Sequence, residues 1–458
     1  MTDFAPLDIA RPRHALRPEF RARTHAVAAG HPLATIAGLR QLEAGGNAVD
    51  AGVAAGICLG VLLTDFVSFA GVAPILIYLA SEDRVTSFAG VGPWSKTATL
   101  AEVLRRGGGT LPEGALRTVV PAAPDAWISA LRRYGTRRFA DVAADAIELA
   151  MHGFPMYELM HSHISSNERA LRAWPSAAAI FLPGGRSPRP GELFRQPALA
   201  RTLERMVAAE ARAGAQSRDA GLQAARDEFY QGETAARIVT FITAEGGLLT
   251  ADDLASFAVE EVDAPSVAYG ETRIYGCGAW SQGPALLEAA GIVAGMDVGA
   301  LGHNTPRYLH VLVEAIKLAL ADREAYIGDP NFVDVPLETL LSEPYLARQR
   351  ARIDPYRATP GLPEPGDTGH RVPVLAGAGT GDSGASDTSY VCAVDRWGNV
   401  FSATPSDGFN APVPPDVGCV ISPRGSQSWL EPGHPSVIAP GKRPRLTPNP
   451  AIARRADG

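Results

Sequence analysis

Apolar residues recur every three positions from Pro32 onward, at Leu33, Ile36, Leu39 and Leu42, and predict a helix with proline in its first turn. Gly45-Gly46 ends it, and Asn47 is placed to cap a second helix, AVDAGVAAGICLGVLL. That second stretch is apolar nearly all round, which suits a helix enclosed between layers. Val72 to Ala80 (VAPILIYLA) is a continuous apolar run of strand length, as expected of a strand covered on both faces. From Asp125 to about Glu324 the pattern reads as mostly helical, with segments at Ala126–Arg133, Phe139–His152, Gln196–Ala213, Glu233–Thr243 and Thr305–Tyr326. Helices in succession, with strands grouped toward both ends of the chain, predict an α+β layered fold.

Between Thr359 and Asp387 the pattern fades into Gly, Pro, Ala and Ser (TPGLPEPGDTGHRVPVLAGAGTGDSGASD), the composition of a mobile connector. It then changes abruptly to strand–turn–strand: Thr388 to Val394, a turn over Asp395–Asn399, and Val400 to Thr404. A slack segment running into a strand headed by Thr is what self-cleavage to an N-terminal threonine requires. The Thr hydroxyl attacks the preceding carbonyl, and the freed α-amine, titrating near pH 8, then serves as general base for the same hydroxyl. A Thr opening a strand is also an ordinary β-branched strand residue. Asp367-Thr368 offers the same dipeptide within the same linker.

Composition narrows the partners. With 46% hydrophobic and 20% charged residues and a net charge of −7, the chain reads as globular and carries no basic footprint for nucleic acid or anionic lipid. A small-molecule amide or peptide substrate suits it better. Cys58, Cys277, Cys392 and Cys419 sit among apolar neighbours without metal-ligand spacing, and read as buried thiols. No cofactor or metal is called for. The first residues show no apolar secretory core and Ala51 to Thr64 is too short to span a bilayer, so a cytoplasmic protein is expected.

The stretch Asp387–Val400 (DTSYVCAVDRWGNV) resembles the start of the small subunit of γ-glutamyltranspeptidases, N-terminal-nucleophile hydrolases in which Thr opens a strand followed by a Val-Asp-x-x-Gly-Asn turn. Register on Val394-Asp395 and Gly398-Asn399 places the family nucleophile at Thr388, with Asp387 before the scissile bond; Thr368 is followed by no such hairpin. His31–Ala51, Asp227–Tyr230, Gly246–Thr250 with Asp253-Leu254, Ala321–Pro330 and Ala439–Pro444 resemble further family landmarks in family order. The resemblance implies a four-layer αββα sandwich, a large-subunit region 1–387 with its linker at 359–387, and a small-subunit region 388–458. The two fragments would remain associated after cleavage.

It also implies site residues and departures. Ser406 falls at the family's Thr that hydrogen-bonds the nucleophile, and Gly408 replaces the Asn two residues later. Ala89 and Gly90 stand where the glutamyl enzymes carry Arg and Glu, which removes the bidentate grip on a substrate carboxylate. The glycine-rich loop is altered to Ser68-Phe-Ala-Gly-Val-Ala-Pro74, and Ser422-Pro-Arg424-Gly425 replaces an Asn-Gln pair, with Arg424 the candidate replacement anchor and Thr447 a further substrate contact. These departures resemble the branch that hydrolyses other amides, oxamate and acyl side chains among them. A glutathione-cleaving transpeptidase and a defective binding relative are the other readings. The chain stops at Gly458, where the family continues into a Gly-Ser-Pro-Gly-Gly-type oxyanion loop, so a C-terminally truncated protein is expected.

Overall fold

A computed structural model describes residues 21–372, 388–409 and 411–455. Its centre is a six-stranded antiparallel sheet of β1 (Ala26–Ala29), β2 (Ile75–Leu79), β3 (Arg84–Phe88), β4 (Glu261–Asp263), β7 (Val391–Val394) and β8 (Val400–Ala403). The strand order is β1-β7-β8-β2-β3-β4, so the strands that follow Thr388 lie between strands from the start of the chain. A second, three-stranded sheet holds β5 (Ser266–Tyr269), β6 (Thr272–Tyr275) and β9 (Ile452–Arg455), in the order β9-β6-β5.

The layering follows from which side chains share a core. Ile75 and Ile77 of β2, with Phe88, Val391, Ala393 and Phe401, pack on one face against α1 (Pro32–Glu43), α2 (Ala48–Leu62), α3 (Ala123–Tyr134) and α4 (Phe139–His152). The alternate residues Leu76 and Tyr78, with Val85 and Val400, meet Tyr275, Cys277, Trp280 and Ile452 between the two sheets. Beyond the small sheet, Val267 and Ile274 pack on α5 (Gly283–Ala294), α6 (Pro306–Tyr326) and α7 (Glu343–Arg350) through Leu287, Ile292, Ala315, Leu318 and Leu346. Helix, sheet, sheet and helix form the αββα sandwich. Strand β2 is apolar throughout because both its faces are covered.

Asn47 caps α2 as expected: its side chain accepts from the Val49 and Asp50 N–H groups at 3.0 and 3.1 Å, and Asp50 accepts from Asn47 N at 2.8 Å. All of α2 is buried. Gly52 lets it lie on the sheet, since a Cβ there would come within 2.0 Å of the Phe401 ring. In the β7–β8 turn, Asp395 accepts from Trp397 N and Asn399 N at 2.9 and 3.0 Å, and its other oxygen accepts from Ala48 N at the start of α2. Asn399 in turn accepts from Ala80 N at 3.0 Å. The Val-Asp-x-x-Gly-Asn pattern is thus a clamp tying the hairpin to a helix and to the neighbouring strand.

The stretch from Asp125 to Glu324 is mostly helical, as expected, and its interruptions include β4, β5 and β6, each three or four residues long and too short for a two-residue period to show. One expectation is corrected, the start of the strand at Thr388. Regular pairing after the linker begins at Val391, and Thr388 makes only an isolated bridge. The linker up to Val372 is held by polar contacts where apolar anchors are few, with Gly366 N donating to Asp322 at 2.6 Å and Tyr326 Oη donating to Gly366 O at 2.7 Å. Cys58, Cys277 and Cys419 are buried and Cys392 is half-buried, all as free thiols. Among the described residues no helix is long and apolar enough to cross a membrane.

Candidate active site

Where the rows of the large sheet run out, the chain keeps pairing for one more step. Thr388 bridges Ser406, and Ser406 bridges Val72 from its other side. Backbone bonds fix this row: Ser406 N donates to Val72 O at 3.1 Å, Ser389 N to Pro405 O at 3.0 Å, and Ser68 N to Ser406 O at 3.3 Å. Directly opposed residues of an antiparallel bridge project to one face. The two hydroxyls accordingly meet, Thr388 Oγ1 to Ser406 Oγ, at 3.0 Å. Thr388 is exposed and Ser406 is wholly buried.

Behind Ser406 stands an ion pair. Arg424 Nη2 donates to Ser406 Oγ at 2.6 Å, and Arg424 Nε donates to Asp407 Oδ1, also at 2.6 Å. Ser422 Oγ donates to Asp407 Oδ2 at 2.5 Å. Arg424 and Asp407 are 3% and 2% exposed, so each charge is buried beside the other, with the Ser406 and Ser422 hydroxyls in contact. Asp407 adopts φ 92°, a backbone conformation that costs a non-glycine residue roughly 1–3 kcal/mol and persists only where its surroundings enforce it. Here the enforcement comes from the hydrogen bonds that Ser422 and Arg424 donate to its carboxylate and from the Ser406 row next to it.

The structure brings Thr388, Ser406 and Arg424 into one continuous chain of contacts. Arg424, expected as a carboxylate anchor, directs Nε and Nη2 at Asp407 and Ser406. Thr447 joins less directly. It is exposed, its N–H donates to Gln427 Oε1 at 3.0 Å, and Gln427 ends the turn that begins at Arg424. Asp387 lies outside the described residues. Asp407 and Ser422 were missed as site residues. The signal available for them was a carboxylate between Ser406 and Gly408 and a hydroxyl two residues before the only Arg of the segment, and a separation of fifteen residues gave no reason to join them.

The departures at small residues have steric causes. A Cβ on Gly408 would approach Asp65 O to 2.2 Å, so the family's Asn finds no room there. A Cβ on Gly90 would approach Ala73 O to 1.8 Å, which excludes Glu. Ala89 is buried between the sheets, its N–H donating to Glu260 O at 2.8 Å. Among the described residues no cluster of His, Cys, Asp and Glu could hold a metal ion.

Comparison with known proteins agrees with this frame. The family profile described as Gamma-glutamyltranspeptidase matches residues 34–458. A glutathione hydrolase-like YwrD proenzyme of Bacillus subtilis is 32% identical over 93% of this chain and 75% of its own length. An acylase ACY 1 proenzyme of Pseudomonas sp. (strain SE83) is likewise 32% identical, over 93% of this chain and 74% of its own. Among solved structures, the cephalosporin acylase from Bacillus halodurans superposes with a TM-score of 0.82 at 29% identity, covering 98% of this chain and 78% of that one.

Proposed function

The chain belongs to the gamma-glutamyltranspeptidase family of self-processing hydrolases, and on that premise we propose that it cleaves itself between Asp387 and Thr388 and then hydrolyses an acyl amide through a Thr388 acyl-enzyme. The observation that carries the reading is the 3.0 Å contact between Thr388 Oγ1 and Ser406 Oγ, backed by the buried Arg424–Asp407 pair.

Thr388 Oγ adds to the carbonyl of Asp387 and the peptide bond shifts to an ester. Water hydrolyses the ester, leaving a carboxylate on Asp387 and a free α-amine on Thr388. That amine titrates near pH 8, so a useful fraction is neutral at physiological pH. It takes the proton of Thr388 Oγ as the oxygen attacks the substrate carbonyl, and passes it to the departing amine. Water then releases the acid and regenerates the hydroxyl. Ser406 is the partner that fixes the rotamer of Thr388 Oγ1. Arg424 is the positioning residue behind it, holding Ser406 with one guanidinium nitrogen while Asp407 takes another. Thr447, exposed and fixed by Gln427, serves as a contact for the substrate's outer part.

Residues 1–387 form the large fragment and 388–458 the small one, and they stay together because β7 and β8 of the small fragment lie between β1 and β2 of the large one. Relatives bearing the name acylase fit an acyl donor without an α-carboxylate, as does the absence of Arg at position 89. The test is the intact mass of the purified protein with N-terminal sequencing of the smaller fragment. A new terminus at Thr388 that disappears in Thr388→Ala is expected; a terminus at Thr368, or one that survives Thr388→Ala, overturns the assignment.

A further inference from the structure

A cavity of about 880 Å³ opens at the flank of the sandwich, and none of Thr388, Ser406, Asp407 and Arg424 lines it. It lies where both sheets end, since β4 is the last strand of the large sheet and β5 the last of the small one. Val262 of β4 and Ala264, which leads on to β5, form one wall. Trp280, between β6 and α5, and Phe332, Val335 and Leu337, after α6, form the others. The volume falls in the range of small-molecule sites.

Charge, aromatic rings and one buried donor narrow what could enter. Glu260, Asp263 and Asp334 line the cavity, and among the described residues no Lys, Arg or His does. The cations nearby do not balance them. Arg443 is shared between Glu260 and Asp329, each at 2.7 Å, and Arg84 between Glu82 at 3.0 Å and Asp263 at 3.4 Å. Lys442 Nζ stands 6.0 Å from the centre of the Phe332 ring, and His370, 3.2 Å from Asp334, is charged only when protonated. The carboxylates Glu82, Glu260, Asp263, Asp329 and Asp334 thus outnumber Arg84, Arg443 and Lys442 by two. Phe332 is 49% exposed, and an ammonium ion within about 6 Å of an aromatic face is attracted to it. Trp280 is 2% exposed and its Nε1 has no hydrogen-bond partner among the described residues. That N–H lies beside Gly278, another wall residue, where an added Cβ would come within 3.0 Å of it. A buried donor of this kind gains from any acceptor that reaches it.

We infer that this cavity is a binding site for an organic ammonium ion with an apolar or aryl body and a carbonyl-type oxygen. The body fills the space between the apolar walls, the charge sits among Glu260, Asp263 and Asp334, and the oxygen accepts from Trp280 Nε1. The site is separate from the chemistry at Thr388 and does not depend on it.

The experiment measures binding of N-(2-aminoethyl)benzamide, N-(2-hydroxyethyl)benzamide and N-benzoylglycine by calorimetry. The three share an aryl body and a carbonyl and differ in a positive, neutral or negative end. The full chain carries Thr388→Ala so that no probe is turned over. The amine is expected to bind at least about fivefold more tightly than the alcohol, and the alcohol more tightly than the acid, the scale of charges a few ångströms apart in a solvated site. Asp263→Asn with Asp334→Asn, both at exposed positions, evens the count of charges and should bring the three probes within about twofold of one another. Ala264→Trp, at a half-buried wall position, should weaken all three at least about tenfold by occupying the apolar space. Leu337→Trp repeats that test from another wall should Ala264→Trp fail to fold. Undetectable binding of the amine, equal affinities for the three probes, or tighter binding of the acid overturns the inference. So does a preference for the amine that survives the double Asn variant, or binding that neither Trp variant weakens.

Discussion

Asp407 and Arg424 are seventeen residues apart in sequence and form a hydrogen-bonded ion pair with almost no exposure to solvent, immediately behind the hydroxyl that meets Thr388. Removing one partner of such a pair leaves the other charge buried and unbalanced. Asp407→Asn is expected to lower stability by about 3–5 kcal/mol and to slow self-cleavage, because Arg424 loses the partner that aims it at Ser406. Urea denaturation and time-resolved intact mass check the two effects separately. Wild-type stability in this variant would mean that the pair is dispensable.

Arg424→Lys separates two tasks for the guanidinium. Lys cannot reach Asp407 and Ser406 at once through a planar fork. If Arg424 positions Ser406, the variant slows self-cleavage as well as turnover. If it grips a substrate carboxylate, KM rises while cleavage, which needs no external substrate, proceeds at the wild-type rate. The contact at 2.6 Å to Ser406 Oγ predicts the first outcome.

Ser406→Ala leaves Thr388 Oγ1 without its 3.0 Å partner. The rate of cleavage is expected to fall by about 100-fold, the lower end of what positioned proton-transfer partners contribute. Mass spectrometry of freshly translated protein over time measures it, and an unchanged rate would remove Ser406 from the site.

γ-Glutamyl-p-nitroanilide is expected to be a poor donor. Ala89 supplies no guanidinium, and the neighbouring Lys96 and Arg443 are already paired with Asp252 and Glu260. The loss of one charge-assisted interaction, about 1.5–3 kcal/mol, corresponds to roughly a 10- to 100-fold lower kcat/KM than an Arg-bearing relative shows with the same donor. Equal values for the two enzymes would show that another group holds the α-carboxylate.

Glu288 gives the fold a pH dependence that can be isolated. It is wholly buried, and burial first, then the adjacent Asp322 carboxylate, holds its carboxyl well above the usual range. Raised in the folded state, this group binds a proton there that the unfolded chain has already released, so its effect on stability runs downward with pH. The loss begins near the ordinary glutamate value of about 4.3 and continues until the folded-state group itself ionises. Glu288→Gln should flatten the decline in urea midpoint between mildly acidic and neutral pH. A profile identical to wild type would show that Glu288 does not carry the dependence.

Local features of this protein were determined by sequence alone. Asn47 caps α2 because its short side chain reaches the first N–H groups, and β2 is apolar throughout because each alternate residue meets a different core. The turn after Val394 could be read for the same reason: Asp395 accepts from the Trp397 and Asn399 N–H groups within the turn, and Gly398 takes a positive φ. The ties of Asp395 to Ala48 and of Asn399 to Ala80 were made by the tertiary structure. The short strands β4 to β6 stayed hidden, since three or four residues cannot display a period and are made strands by the sheets they join. The partners of Arg424 were decided by tertiary structure. Nothing local distinguishes a guanidinium that waits for a substrate from one that has found Asp407, because burial and pairing depend on residues brought together by the whole sheet. The same holds for Gly408 and Gly90, which read as losses of family side chains in sequence. In the folded chain they are points where the backbones of Asp65 and Ala73 come too close for any side chain to fit.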